Sequence, residues 1–83
     1  MEKILVEVYV PSLMKSFDIF IPSVSQIGTV LELVKKAVNE ITDGMFVPMD
    51  NTVLCNFENG KILDINKSVS ELEICNGSRL MLI

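Results

Sequence analysis

The side chains in this 83-residue chain best suited to covalent chemistry are two cysteines, Cys55 and Cys75. A thiol acts as nucleophile or metal ligand only as the thiolate, which needs a nearby cation, a helix N-terminus or a metal to form at neutral pH. Cys55 falls in a predicted strand and Cys75 stands just before a turn, neither with a cationic neighbour. The chain has no histidine, so the commonest general base is missing. Two cysteines this far apart make neither a zinc site nor a redox C-x-x-C. Both are expected to be small buried apolar residues. A bridge between them is open in principle, although a reducing cytosol keeps such pairs apart.

Other candidate chemistry fares no better. The eleven acidic residues are dispersed. Glu71 and Glu73 are close, but Glu71 is already placed to cap a helical turn and calcium-loop spacing is absent. Asn59-Gly60 and Asn76-Gly77 are turn residues; one glycine in each does not make the nest of amides that holds a phosphate. Leu13 and Met14 could be read as a soft binding surface, but one Met beside one Leu fits better a loop tucked over the edge of the core. The expectation is a protein with no catalytic residue, no metal and no cofactor.

Composition narrows the partners. Hydrophobic residues make up 49% and charged residues 22%, which suits one small aliphatic core in a single domain spanning residues 1–83. Net charge is −4, and the only adjacent basic pair, Lys35-Lys36, lies between Glu32 and Glu40. Without a basic stripe, neither nucleic acid nor an anionic membrane surface is an expected partner. No apolar run approaches the roughly 20 residues of a membrane span. Glu2, Lys3 and Glu7 interrupt anything like a signal-peptide core, so a cytoplasmic protein is expected.

The elements follow from periodicity. Residues 3–10 alternate, with Ile4, Val6, Val8 and Val10 on one face and Lys3, Leu5, Glu7 and Tyr9 on the other. A break at residues 11–15 leads to a second alternating run over 16–22, with Phe17, Ile19 and Ile21 opposite Asp18 and Phe20, which predicts a hairpin. The period then lengthens to 3.6: Ile27, Val30, Leu31, Val34, Ala37, Val38 and Ile41 form one stripe. Either Ser23, with Gln26 three residues on, or Ser25 caps this helix, and Asp43-Gly44 ends it. Residues 45–51 read as a loop and 52–57 as a strand. Asn59-Gly60 suits a type I′ turn, which sets Phe57 opposite Ile62 in a short return strand over 61–65. Ser68 and Glu71 have capping-box spacing before a helical turn, and residues 78–83 alternate again as a final strand. A hairpin, a helix and further strands predict an α+β fold: a β-grasp, with a mixed sheet and one main helix packed on one face.

Two stretches carry a resemblance. Ser68-Val69-Ser70-Glu71-Leu72-Glu73-Ile74, followed by Asn76-Gly77-Ser78-Arg79-Leu80-Met81-Leu82, is similar to the ubiquitin segment in which a short helical turn leads into the last strand. Ile21-Pro22-Ser23, running into the helix, is also ubiquitin-like. Within that superfamily the chain most resembles the small bacterial YukD/EsaB proteins. They share a polar turn followed by Arg-Leu, here Asn76-Gly77-Ser78-Arg79-Leu80, and a terminus at or just past the last strand. The resemblance implies a cytosolic, non-conjugated protein of Gram-positive type VII secretion, with no catalytic residues to carry over.

A surface is left as the expected working part. If the helix covers one sheet face, the other displays Leu5, Tyr9, Phe20, Met81 and Ile83, with Lys3, Glu7, Asp18 and Arg79 among them. An apolar cluster rimmed by charge on an uncovered face is the pattern of a protein-binding site. Two functions follow. One is a non-catalytic adaptor whose partner is a component of a secretion apparatus; residues alone leave its oligomeric state open. The other is a ubiquitin-like modifier or sulfur carrier, disfavoured because the sequence stops at Ile83 without a diglycine tail.

Overall fold

The computed structural model describes residues 2–83. Strands β1 (Lys3–Val10) and β2 (Lys15–Pro22) form an antiparallel hairpin, followed by helix α1 (Ile27–Ile41), strand β3 (Leu54–Asn56) and strand β4 (Arg79–Leu82). The sheet runs β2-β1-β4-β3. β1 and β4 are its central pair and lie parallel, with Glu7 opposite Arg79 and Tyr9 opposite Met81. β3 joins β4 antiparallel, with Cys55 opposite Met81. The ladder continues past the named strands: Val53 and Ile83 exchange backbone hydrogen bonds of 2.7 and 3.0 Å. This is the expected β-grasp.

Alternation explains the core. Ile4, Val6, Val8 and Val10 of β1, Ile19 and Ile21 of β2, and Leu80 and Leu82 of β4 are all buried, and α1 lays Ile27, Val30, Leu31, Val34 and Val38 against them. Ile41 departs from the expected stripe: as the last residue of α1 it is 56% exposed. Leu13 does pack against the core, whereas Met14 at the hairpin tip points outward, 81% exposed.

The start of α1 also differs from expectation. Gln26 is the N-cap residue and makes no side-chain capping bond; neither Ser23 nor Ser25 caps the helix. Its first amides are satisfied by a distant segment instead. Ile27 N–H donates to the Lys67 carbonyl at 2.8 Å, and Gly28 N–H donates to the Ile65 carbonyl at 3.0 Å. Gly28 eases that approach, since a Cβ there would meet the Ile65 oxygen at a tight 3.3 Å. The C-terminal end follows the sequence: Gly44 takes φ +83° and donates its N–H to the Asn39 carbonyl.

Two further corrections concern the second hairpin. Asn59 does not take the positive φ that a type I′ turn requires, and only Gly60 does. The Asn56 side chain accepts the Glu58 N–H at 2.8 Å, which widens the turn to residues 57–60. Ile62 therefore sits opposite Cys55 rather than Phe57, and the return strand shrinks to that single bridge. The capping box forms as expected. Ser68 N–H donates to the Glu71 carboxylate at 2.8 Å and Glu71 N–H donates to Ser68 Oγ at 3.1 Å.

Val34 is wholly buried and Lys36 lies on the opposite side of α1. Val34→Ala should cost about 2 kcal/mol in denaturant unfolding, and Lys36→Ala should be nearly silent. Equal effects would contradict the helical phase. The Ser68 backbone bond, then its hydroxyl bond, hold the Glu71 carboxyl below its ordinary value of 4.5. A carboxyl depressed in the folded state stabilises fully above its unfolded pKa, and that contribution fades as pH falls through the folded value. The stability gap between wild type and Glu71→Gln should therefore be constant near neutrality and narrow below about pH 4.5. A gap that widens on acidification would contradict the cap.

Candidate functional site

The sheet face turned away from α1 carries two pairs of the residues singled out from the sequence. Tyr9 and Met81 are in register on β1 and β4, both half-buried. Leu5 and Phe20 are in register on β1 and β2, with Phe20 62% exposed. A polar row of Asp18, Glu7 and Arg79 separates the pairs, since Glu7 is register partner to both of the others. Ile83 lies two residues beyond Met81 and is exposed. The face is thus two apolar spots divided by charge rather than one continuous patch.

Phe57, left out of the expected surface, organises the larger spot. Its N–H donates to the Arg79 carbonyl at 3.1 Å, which extends the β3–β4 ladder by one residue and sets its ring beside Tyr9. The two rings meet edge to face, centroids 5.8 Å apart and planes at 90°. The Arg79 guanidinium lies over the Phe57 ring, 4.1 Å from its centre. Arg79 Nε is 3.7 Å from a Glu7 carboxylate oxygen. Both charged side chains are about half exposed, so the pair adds little stability and chiefly aims the guanidinium across the ring. Residues 53, 55 and 57 do share a face, as alternation implies. The wider turn leaves Phe57 within the β3–β4 ladder, opposite Arg79.

The thiols are placed differently from one another. Cys55 is fully buried between its register neighbours Met81 and Ile62, and burial pushes its thiol up from its ordinary value, away from reactivity. Cys75 was expected to be buried too, but it is exposed, because it sits in the turn before β4. There its N–H donates to Ser78 Oγ at 3.0 Å. Both are free thiols. Among the described residues no group of three or more His, Cys, Asp and Glu side chains could hold a metal ion, and no helix is long and apolar enough to cross a membrane. What the outer face offers is shape, rings and charge.

Cys75 should react with a maleimide or disulfide reagent within the mixing time in the native protein, and Cys55 only at the rate of unfolding. Rapid labelling of Cys55 without denaturant would contradict its burial.

No protein-family model matches the sequence, and neither does any curated protein. Solved structures do match. The EccD5 ubiquitin-like domain from Mycobacterium xenopi superposes with a TM-score of 0.82 at 20% identity, covering 100% of this chain and 94% of that one. The ubiquitin-like domain of the Mycobacterium tuberculosis type VII secretion system protein ECCD1 gives 0.79 at 15% identity, covering 100% and 99%. The ubiquitin-like domain of Plasmodium falciparum Dsk2 gives 0.75 at 18%, covering 98% and 96%. Likeness at these identities speaks to architecture: the chain has the ubiquitin-like β-grasp fold.

Proposed function

We propose that this chain is a non-catalytic ubiquitin-like adaptor that binds a protein partner through the outer face of its sheet, and that the partner is a cytoplasmic component of a type VII secretion apparatus. The observation that carries the binding role is the Tyr9–Phe57–Arg79 stack with Met81 beside it. Aromatic residues, Met and Arg are the side chains enriched at protein interfaces, and rings already locked edge to face lose little entropy on docking. The Asp18–Glu7–Arg79 row supplies charge to orient the partner. The secretion reading is supported by the superposition on the ECCD1 domain and by the sequence resemblance at residues 68–82. The sequence resemblance is what favours a cytoplasmic site of action.

Phe20→Ala and Met81→Ala should each weaken partner capture while changing stability by less than about 1 kcal/mol, since neither side chain belongs to the buried core. Co-purification with secretion components, together with secretion in cells carrying the variants, provides the measurement. Wild-type capture and secretion by both variants would place the interface elsewhere.

A further inference from the structure

Three of the four glycines in this chain follow an Asn or an Asp: Asp43-Gly44, Asn59-Gly60 and Asn76-Gly77. With no Cβ to shield it, the nitrogen of such a glycine can attack the preceding side-chain carbonyl carbon and close a five-membered succinimide. The attack needs a side chain turned back toward its own peptide bond. It also needs an amide that can leave its hydrogen bond. The fold decides which of the three sites meets both conditions.

Asn76 is locked. Its Oδ1 accepts the Leu5 N–H at 2.8 Å, and the Gly77 N–H donates to the Leu5 carbonyl at 2.9 Å. Both reacting groups are therefore held by one residue of the central strand β1, and freeing them means breaking the β1–β4 pairing. Gly44 is held by the end of α1, its N–H donating to the Asn39 carbonyl at 2.8 Å. Asp43 before it carries a carboxylate, a far poorer electrophile than an amide. Asn59 differs from both. It is exposed, and its Oδ1 accepts the Lys61 N–H at 2.9 Å, closing a ring that contains both Asn59 Cγ and the Gly60 nitrogen. The Gly60 N–H also bonds, to the Asn56 carbonyl at 2.9 Å, but that partner belongs to the same local turn. Opening the turn frees the amide while the β1–β4 pairing stays intact.

We propose that Asn59 is a self-modifying site, converted in the native protein to aspartate and isoaspartate through attack by the Gly60 amide. The Gly60 nitrogen gives its proton to solvent base, bonds to Asn59 Cγ and expels Nδ2 as ammonia. Water then opens the ring at either carbonyl, leaving the backbone in place or rerouted through the side-chain carbon. One water enters and one ammonia leaves, so no co-reactant beyond solvent is needed. Both products set a new carboxylate beside Glu58, in a chain whose net charge is already −4. The isoaspartate form also adds one backbone atom to the turn. That disturbs the Gly60–Asn56 bond, and with it the strand end that carries Phe57 beneath Arg79. The site is a one-way timer next to the aromatic stack. The reaction stands independently of any docking role, whereas its bearing on partner capture rests on the role proposed above.

The test incubates the full chain at mildly alkaline pH, natively and in guanidinium chloride, and follows both Asn-Gly sites by peptide mapping and mass spectrometry. In the native protein Asn59 should convert at least about tenfold faster than Asn76, because a local opening costs less than a global one. In denaturant the two rates should come within about threefold of each other, since only the fold separates them. Isoaspartate should appear at position 59, detected by enzymatic carboxyl methylation with S-adenosylmethionine as donor. Asn59→Gln, which must close a larger ring, should remove conversion there on the same timescale. Val34→Ala lowers global stability, so it should speed Asn76 about tenfold or more while leaving Asn59 unchanged. The proposal is overturned by native rates that agree at the two sites, by faster conversion of Asn76, or by an Asn59 that stays intact. It is equally overturned by an Asn59 rate that rises with Val34→Ala, or by aspartate at 59 without isoaspartate, which would mean direct hydrolysis.

Discussion

The parallel pairing of β1 with β4 is the contact on which everything else in this molecule rests. It joins segments from opposite ends of the described chain, with Glu7 N–H bonded to the Ser78 carbonyl and Gly77 N–H to the Leu5 carbonyl. Closing so long a loop costs entropy, which is offset by burying Val6, Val8, Leu80 and Leu82 side by side under α1. With those two strands in the centre, β2 and β3 must be the edges. The same register sets Tyr9 beside Met81 and Glu7 beside Arg79 on the far face. One pairing thus determines the core, the composition of the outer face and which strands form the edges.

Helix α1 is held by a second long-range device. Its first two amides bond to carbonyls of residues 65 and 67, so its start is tied to the segment that leads into the capping box and on to β4. The missing side-chain cap is thereby explained, and the small residue at position 28 suits the close approach of the Ile65 carbonyl. Fixing the start of the helix also fixes where its last turn emerges, and Ile41 there forms one wall of a groove next to β2.

The parts legible in the sequence were those with a local period. Strict alternation in β1, β2 and β4 named the buried face and its opposite, and the 3.6-residue stripe found α1. Distant partners were not legible. Gln26 carries no signal that carbonyls of residues 65 and 67 will take the role of a cap. A stripe includes Ile41 but cannot say that the last residue of α1 is left exposed. Asn59-Gly60 suggested a two-residue turn, whereas the Asn56 side chain captures the Glu58 amide and enlarges it. That one local bond shifts the partner of Ile62 from Phe57 to Cys55 and obscured the place of Phe57 in the aromatic stack. The exposure of Cys75 is likewise not legible, since the sequence carries its turn but not the direction of its thiol.

The proposed adaptor role rests on surfaces that the fold presents ready-made. The buried thiol of Cys55 is pushed away from reactivity, and the Arg79 guanidinium engages a ring and a carboxylate. The outer face offers rigid rings and a strip of charge, which suits recognition of a folded partner. The most direct measurement places a photo-crosslinking amino acid at position 81 and, separately, at position 36 on the exposed side of α1, in living cells. Crosslinks from 81 but not from 36, to a component of the secretion apparatus identified by mass spectrometry, are the predicted result. Crosslinks from 36 alone, or from 81 only to proteins unconnected with secretion, would contradict it.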